Sequence, residues 1–197
     1  MQEPIYAIIL AAGHSSRMGL QKALLKYSEK LTFLEKIIET YSTFGATIIL
    51  VTNHIVIDEL EKNNIKLDNN NTIIVVNTDI NQGRMLSIKL GVSKIMKSGI
   101  CFIQNIDNPF VSTKTLRQLM NNSRKSHYVS PTFKGKGGHP ILISNKIIED
   151  LKEFDNLHIT LKEFLSSYEK EQIEINDEKI LLNINTIDDY HNIIGLT

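Results

Sequence analysis

The feature that most constrains this chain is an apolar run followed at once by small residues, hydroxyls and cations. Residues 6–10 (YAIIL) are apolar throughout and are long enough for a β-strand buried on both faces. Residues 11–22 (AAGHSSRMGLQK) then supply two glycines, two serines and two cations. Small residues let the backbone approach a ligand closely, and exposed amides with serine hydroxyls can bind phosphate oxygens. The pattern predicts a phosphate-binding loop at the carboxyl end of the first strand.

Two widespread phosphate-binding motifs do not fit this loop. A P-loop has four residues between its glycines and then Lys and Ser or Thr, whereas five residues separate Gly13 from Gly19 here and Leu20 follows. The dinucleotide fingerprint has three glycines, and residues 13–18 contain one. The alternatives left are a phosphate loop of another kind and an ordinary strand-to-helix turn whose cations are solvated.

The balance of charge argues against two classes of partner. The 197 residues include 22 basic and 22 acidic side chains, whereas proteins that bind nucleic acids or membrane surfaces usually carry a basic excess. Cys101 is the only cysteine, which excludes a disulfide framework. Because it lies within a predicted strand, we expect its side chain in the core. No apolar run approaches membrane-spanning length. We therefore expect one cytoplasmic domain over residues 1–197, with no nucleic acid and no membrane as partner.

Apolar runs and helical periodicities alternate along the chain. The predicted strands after the first are 46–52, 73–76, 100–103 and a last strand at 180–182, and the predicted helices are 31–44, 55–64 and 85–97. Apolar strands that alternate with helices indicate a mainly parallel sheet covered by helices. The fold class is therefore α/β, a three-layer Rossmann-like architecture with helices on both faces of the sheet.

Polar segments follow the first, third and fourth strands, and ligands of open α/β sheets bind at that edge. In the segment 104–109 (QNIDNP), Asp107 comes directly after a buried strand. Such a carboxylate can bind Mg²⁺ together with triphosphate oxygens. The alternative is a turn or cap before Ser112, because Asp is common at those positions. The phosphate loop favours the metal-binding interpretation.

The string L-A-A-G-x-S-x-R-M-G-x-x-K, which runs from Leu10 to Lys22, resembles the signature of nucleotidyltransferases. These enzymes transfer a nucleoside monophosphate from a triphosphate to a phosphorylated acceptor and release pyrophosphate. Nearly the whole chain is similar to the molybdenum cofactor cytidylyltransferase branch. The resemblance implies catalytic roles for Arg17, Lys22 and Asp107 and a nucleotidyltransferase fold. The residues implied in nucleotide binding are Leu10, Ala11, Ala12, Gly13, Ser15, Arg17, Met18, Gly19, Lys22, Asn77, Gly83 and Ser87.

Three positions depart from the pattern of that family. Ile106 stands where the family has glycine before the Asp, Ile80 replaces an aromatic residue, and Arg84 replaces a methionine. The larger side chain of Ile106 is expected to change how the acceptor fits beside Asp107. For the segment that holds the other two, the alternative interpretation of Asn77, Gly83 and Ser87 is a loop closed by a helix N-terminus.

Two later segments also match the family. Residues 134–140 (KGKGGHP) resemble its G-x-x-G-H-P segment, which implies that Gly138, His139 and Pro140 bind the acceptor; the alternative is a plain hairpin turn. Residues 183–189 (NINTIDD) resemble its closing segment. That similarity implies a second metal contact through Asn185 or, alternatively, Asn183.

The resemblance also implies the substrates. Family members that read L-A-A-G use CTP, whereas L-A-G-G leaves room for the larger base of GTP. The G-H-P segment favours molybdopterin as the phosphorylated acceptor, with Mg²⁺ as the cofactor and a transient contact with a molybdoenzyme. The alternatives are a cytidylyl- or guanylyltransferase with another phosphorylated acceptor, and a non-catalytic molybdopterin carrier.

Overall fold

The computed structural model describes residues 3–13, 21–67, 71–123 and 126–194. The strands in these ranges are β1 (Ile5–Leu10), β2 (Thr47–Thr52), β3 (Thr72–Val76), β4 (Ile100–Asn105), β5 (Tyr128–Phe133), β6 (Lys136–Gly137), β7 (Ile141–Ile143) and β8 (Lys170–Glu174). The α-helices are α1 (Phe33–Phe44), α2 (His54–Lys62), α3 (Arg84–Val92), α4 (Thr113–Asn121), α5 (Asn145–Glu153), α6 (Leu161–Phe164) and α7 (Ile187–Ile194). None of the described helices is long and apolar enough to cross a membrane.

The described strands form one mixed sheet in the order β3-β2-β1-β4-β7-β5-β6, and β8 pairs with β5. β1 is parallel to β2 and to β4, and β2 is parallel to β3. β7 runs antiparallel to both β4 and β5, which makes β5 parallel to β4. The prediction of a mainly parallel sheet is therefore confirmed.

The central strands are buried on both faces, and their residues alternate between two cores. On β1, Ala7 and Ile9 pack beneath α1, α2 and α4, whereas Ile8 and Leu10 pack beneath α3, α5 and α6. This alternation follows from the two-residue period of a strand. Cys101 is fully buried in the second core, as expected. The three-layer arrangement with helices on both faces is confirmed.

Local sequence signals explain where the elements begin and end. Thr32 caps α1 through a capping box with Glu35, and Gly45 ends this helix at φ +88°. α3 ends at Val92, five residues before its predicted end, where the Ser93 hydroxyl donates to the Leu90 carbonyl.

Two regions differ from the prediction. The strand predicted at 180–182 is wrong: residues Glu178–Leu181 form a 3-10 turn, because Asp177 accepts from the Lys179 amide and starts a turn there. β5 and β8 were not predicted. The segment after β5 begins with a hairpin turn, since Lys134 (φ 48°) and Gly135 (φ 74°) both adopt the positive φ values of a type I′ turn, and the expected role of residues 138–140 does not depend on this turn.

A buried polar network supports the turn after β4. Gln104 is fully buried and donates from Nε2 to the carbonyls of Asn105 and Asn108, both at 2.8 Å. The Tyr41 hydroxyl donates to Gln104 Oε1 at 3.0 Å, and burial raises the pKa of Tyr41 well above its usual value. The carbonyl of Asp107 accepts from the Ile184 amide at 2.8 Å. The turn that carries Asp107 is thus held both from the core and from the C-terminal segment.

Removing the Tyr41 hydroxyl tests this network. We expect Tyr41→Phe to lower the free energy of unfolding by about 1–3 kcal/mol, because Gln104 Oε1 stays buried without a donor. Tyr27→Phe is the control, since the Tyr27 hydroxyl has no hydrogen bond within the described part of the chain. Urea denaturation measures both; equal midpoints for the two variants would contradict the role assigned to Tyr41.

A second prediction concerns two adjacent glycines. A Cβ on Gly138 would lie 2.7 Å from the carbonyl oxygen of Ile180, whereas a Cβ on Gly137 would meet nothing within 4 Å. Gly138→Ala should therefore lower the free energy of unfolding by about 1–3 kcal/mol, and Gly137→Ala by less than about 0.5 kcal/mol. Thermal denaturation of the pair would show the difference, and the prediction fails if both variants melt with the wild type.

Candidate functional site

Three polar side chains from distant parts of the sequence meet at the carboxyl edge of the sheet. Lys22 Nζ donates to Asn185 Oδ1 at 3.0 Å, across 163 residues of sequence, and lies 3.8 Å from Asp107 Oδ2. Both charged side chains are mostly shielded, with 15% of Lys22 and 25% of Asp107 exposed. The structure therefore brings together one of the predicted catalytic cations and both groups predicted to bind the metal.

One carboxylate oxygen of Asp107 has no hydrogen-bond partner within the described ranges. Its Oδ2 lies near Lys22, whereas Oδ1 is buried and has no hydrogen-bond partner among the described residues. A buried acceptor without a donor is costly, and a carboxylate oxygen is the ligand that Mg²⁺ prefers. The arrangement fits a cation that binds at Oδ1.

Protein groups alone do not make a complete metal cage here. Within the described ranges, no cluster of three or more His, Cys, Asp or Glu side chains could hold a metal ion. Mg²⁺ is commonly bound by one or two carboxylates together with substrate phosphates. The donor set fits a metal that arrives with a nucleotide.

The C-terminal segment is fixed beside Asp107. The amides of Asn185 and Thr186 donate to Asp189 Oδ2 at 3.0 and 2.9 Å, and these hydrogen bonds lower the pKa of Asp189. Asp189 thus serves as a first-turn acid of α7, as predicted. Asn185 directs its side-chain oxygen to Lys22, whereas Asn183 Oδ1 is buried without a partner in the described structure.

The predicted phosphate loop begins at this same edge. Leu10, Ala11 and Ala12 are buried, and the Ala12 carbonyl accepts from Asn53 Nδ2 at 3.1 Å. Among the described residues, nothing lies within 4 Å of the position that a Cβ on Gly13 would take. The remaining predicted loop residues lie outside the described residues: Ser15, Arg17, Met18 and Gly19.

The segment after β3 is braced by two of its predicted nucleotide-binding residues. Asn77 Nδ2 donates to Ser87 Oγ at 3.0 Å, and Asn77 Oδ1 accepts from the Asp79 amide at 2.9 Å. Both Asn77 and Ser87 are buried, which places their side chains beneath the loop. Gly83 is exposed, adopts φ +83° and immediately precedes α3. Gly83 therefore lies at the surface of the site, whereas Asn77 and Ser87 lie beneath the loop and support it.

A cavity of about 600 Å³ opens beside these groups, between the start of α3, the strands β5 and β7, and residues 157–165. Gly138 and His139 line it, and Pro140 follows through a cis peptide bond. Apolar walls come from Tyr128, Ile141, Leu157 and Ile159, and cations from Arg84, Lys162 and Lys170. The described residues that line the cavity include no carboxylate. Its charge suits an anionic ligand that has an apolar body.

The environment of His139 disfavours the charged form of its imidazole. Burial lowers the pKa of His139, and the nearby charge of Arg84 lowers it further. Its Nε2 lies 3.5 Å from Asn105 Nδ2, and its Nδ1 is buried without a partner among the described residues. Asn105 Oδ1 in turn accepts from Arg84 at 2.6 Å. Neither Arg84 nor Asn105 is among the site residues expected from the sequence. The available signal was a cation in the first turn of α3, where the helix dipole disfavours positive charge.

The comparisons with known proteins agree with this geometry. The family model for the MobA-like NTP transferase domain matches residues 7–172. A molybdenum cofactor cytidylyltransferase of Escherichia coli (strain K12) is 31% identical over 94% of this chain and 93% of its own length. A probable molybdenum cofactor guanylyltransferase of Clostridium perfringens (strain 13 / Type A) is 27% identical over 95% of both chains.

A solved structure shares the fold. Rv0371c from Mycobacterium tuberculosis H37Rv, solved as a complex with manganese, superimposes with a TM-score of 0.77 at 17% identity and covers 99% of this chain and 100% of its own. At that identity the likeness concerns the fold alone. Together, the relatives support the transfer of a nucleoside monophosphate from a triphosphate to a phosphorylated acceptor. The chain belongs to the family of MobA-like NTP transferase domains.

Proposed function

We propose that this protein transfers CMP from CTP to molybdopterin, releases pyrophosphate and depends on Mg²⁺. The observation that carries the proposal is the convergence of Lys22, Asp107 and Asn185 beside a carboxylate-free cavity. The choice of CTP is supported by Ala12, which stands where the guanylyl-transferring pattern has glycine, and by the 31% identical cytidylyltransferase.

The metal is assigned to Asp107, with Asn185 as the second protein group and Asn183 as the alternative. The unpartnered Oδ1 of Asp107 supports this assignment. A bound Mg²⁺ would neutralise phosphate charge and favour the departure of pyrophosphate. Lys22 already lies between the oxygens of Asp107 and Asn185, a position that an ammonium and a metal ion both favour.

The reaction requires alignment more than a strong protein base. An oxygen of the acceptor phosphate attacks the α-phosphorus, a new P–O bond forms, and the bond to the bridging oxygen of pyrophosphate breaks. Because the acceptor phosphate is itself an anion, no side chain has to remove a proton from a neutral nucleophile. Lys22 and Arg17 stabilise the charge that develops at the α-phosphate and on the leaving pyrophosphate.

The acceptor is assigned to the cavity beside His139. A pterin is flat and can pack against Tyr128, Ile141 and Leu157, whereas its phosphate faces the cationic end. Gly138 lies on the acceptor side of the site and packs directly against residue 180, because there is no room for a side chain at position 138. The product would pass to a molybdoenzyme through a transient contact, and we place the reaction in the cytoplasm.

Asp107 provides the sharpest test of the enzyme hypothesis. We expect Asp107→Asn to reduce the rate of pyrophosphate release by at least about 100-fold, because an amide neither carries charge nor binds Mg²⁺ well. Nucleotide should still bind weakly through the loop after β1. The control is Asp58→Asn, which removes an exposed carboxylate from α2 and should retain the wild-type rate. Near-wild-type pyrophosphate release by Asp107→Asn would refute the assignment, and acceptor binding without any pyrophosphate release by the wild type would indicate the carrier.

Thermal stability in the presence of Mg²⁺ tests the choice of base. A ligand at about 100 times its Kd stabilises the native state by about 2.7 kcal/mol, which raises Tm by several degrees for a protein of this size. We expect CTP to raise Tm more than GTP, ATP or UTP at equal concentration. A larger shift with GTP would retain the transferase and replace CMP by GMP. Repeating the series with EDTA should reduce the shift, since the metal is expected to bind together with the nucleotide.

A further inference from the structure

The first turn of α3 carries charge of the unfavourable sign. Arg84 is the first residue of this nine-residue helix, and Gly83 precedes it without any side chain to cap the helix. Free amides at a helix N-terminus attract anions and repel cations. An arginine at this position therefore costs stability unless another group compensates for it.

Asn105 holds the Arg84 guanidinium over the carboxyl edge of β4. Arg84 Nη2 donates to Asn105 Oδ1 at 2.6 Å, and this is its only hydrogen bond within the described part of the chain. Desolvation lowers the pKa of Arg84 and the charge of Asp107 opposes this shift, so the two charges interact. An arginine remains protonated at neutral pH in either case. The guanidinium therefore keeps N–H donors for a ligand.

The cavity supplies a second and independent observation. Ser130 lines the same cavity as Arg84, only 5% of its surface is exposed, and its Oγ has no hydrogen-bond partner among the described residues. A buried hydroxyl without a partner is uncommon in native proteins. Because Ser130 lines a cavity whose described residues include no carboxylate, its hydroxyl is placed to pair with a polar ligand bound there.

We propose that the phosphate group of the acceptor is bound by Arg84, the first amides of α3 and the Ser130 hydroxyl. Arg84 is then a specificity-determining residue. The inference rests on the proposed function, in which both substrates carry phosphate. It names the residues that bind the phosphate of one of them, the acceptor. Arginine suits this role because its planar fork binds two phosphate oxygens at once. The anion also compensates for the unfavourable charge at the start of α3.

The described lining of the cavity favours the acceptor side for this anion site. Arg84 and His139 line the cavity together with Gly83 of the expected nucleotide-binding set, whereas Lys22, Asp107 and the described loop residues after β1 do not line it. Arg84 still interacts electrostatically with Asp107 and His139. A phosphate on Arg84 therefore lies on the acceptor side and close to the reacting centre.

Steady-state kinetics with three variants test the assignment. Arg84→Met keeps the length of the side chain and removes its charge, Arg84→Lys restores a point charge, and Lys94→Met removes an exposed cation just after α3 as the control. We expect Arg84→Met to raise KM for the acceptor by about 10- to 100-fold while KM for the nucleotide changes by less than about twofold. Arg84→Lys should recover part of the loss, and Lys94→Met should match the wild type. An unchanged acceptor KM, or an increase confined to the nucleotide KM, would overturn the assignment.

Binding of inorganic phosphate gives a readout that does not depend on activity. Without nucleotide, phosphate should raise Tm of the wild type and of Lys94→Met, and the shift should be lost in Arg84→Met. An equal shift in all three proteins would refute the Arg84 site. A shift that depends on Arg84, in a wild-type protein that releases no pyrophosphate with any nucleoside triphosphate, would retain the anion site and refute the proposed function. The two failures are thus distinguishable.

Discussion

The hydrogen bonds of Gln104 connect the centre of the sheet to the candidate site. The oxygen of its buried carboxamide accepts a hydrogen bond from a hydroxyl on α1, and the nitrogen donates to two backbone carbonyls of the turn that follows β4. A side-chain amide in a core is tolerated only when its polar atoms are satisfied, and here the groups that satisfy it belong to the backbone that carries Asp107. The cost of burying one polar residue is therefore offset by bonds that fix the position of a carboxylate.

Much of the remaining arrangement follows from the parallel register of β1, β2 and β4. Parallel neighbours end at the same edge, so the loop after β1 and the turn after β4 lie side by side. β7, which is antiparallel to β4, then places residues 138–140 next to Asn105. Two chemically different surfaces result: one near Lys22 and Asp107, and one in a cavity without carboxylates.

The sequence was sufficient for the layers of the fold and for placing Lys22 and Asp107 at one edge of the sheet, whereas Asn185 was expected only from the family resemblance, with Asn183 as the alternative. Apolar runs identify strands that are buried on both faces, and turn residues mark where a parallel sheet exposes its binding edge. The strands β5 and β8 were missed because polar residues interrupt them: Ser130 and Thr132 lie within β5, and four of the five residues of β8 are polar, so neither strand has an unbroken apolar run. The roles proposed for Arg84 and Ser130 depend on a cavity between elements distant in sequence, and no local pattern encodes such a cavity.

The contact between Lys22 and Asn185 joins positions 163 residues apart in sequence. This separation affects the order in which parts of the structure form during synthesis. Domains begin to fold from the N-terminal side during synthesis. A nascent chain that has emerged through β4 contains the four mutually parallel strands β1 to β4, but the side-chain amide that contacts Lys22 and the backbone amide that binds the Asp107 carbonyl are still missing. These four strands can therefore pair while the ribosome is still translating, whereas the contacts of Lys22 and Asp107 with the C-terminal segment form only after residues 180–189 have been added. Incomplete chains would thus present the carboxyl edge of these strands without the contacts that hold Lys22 and Asp107.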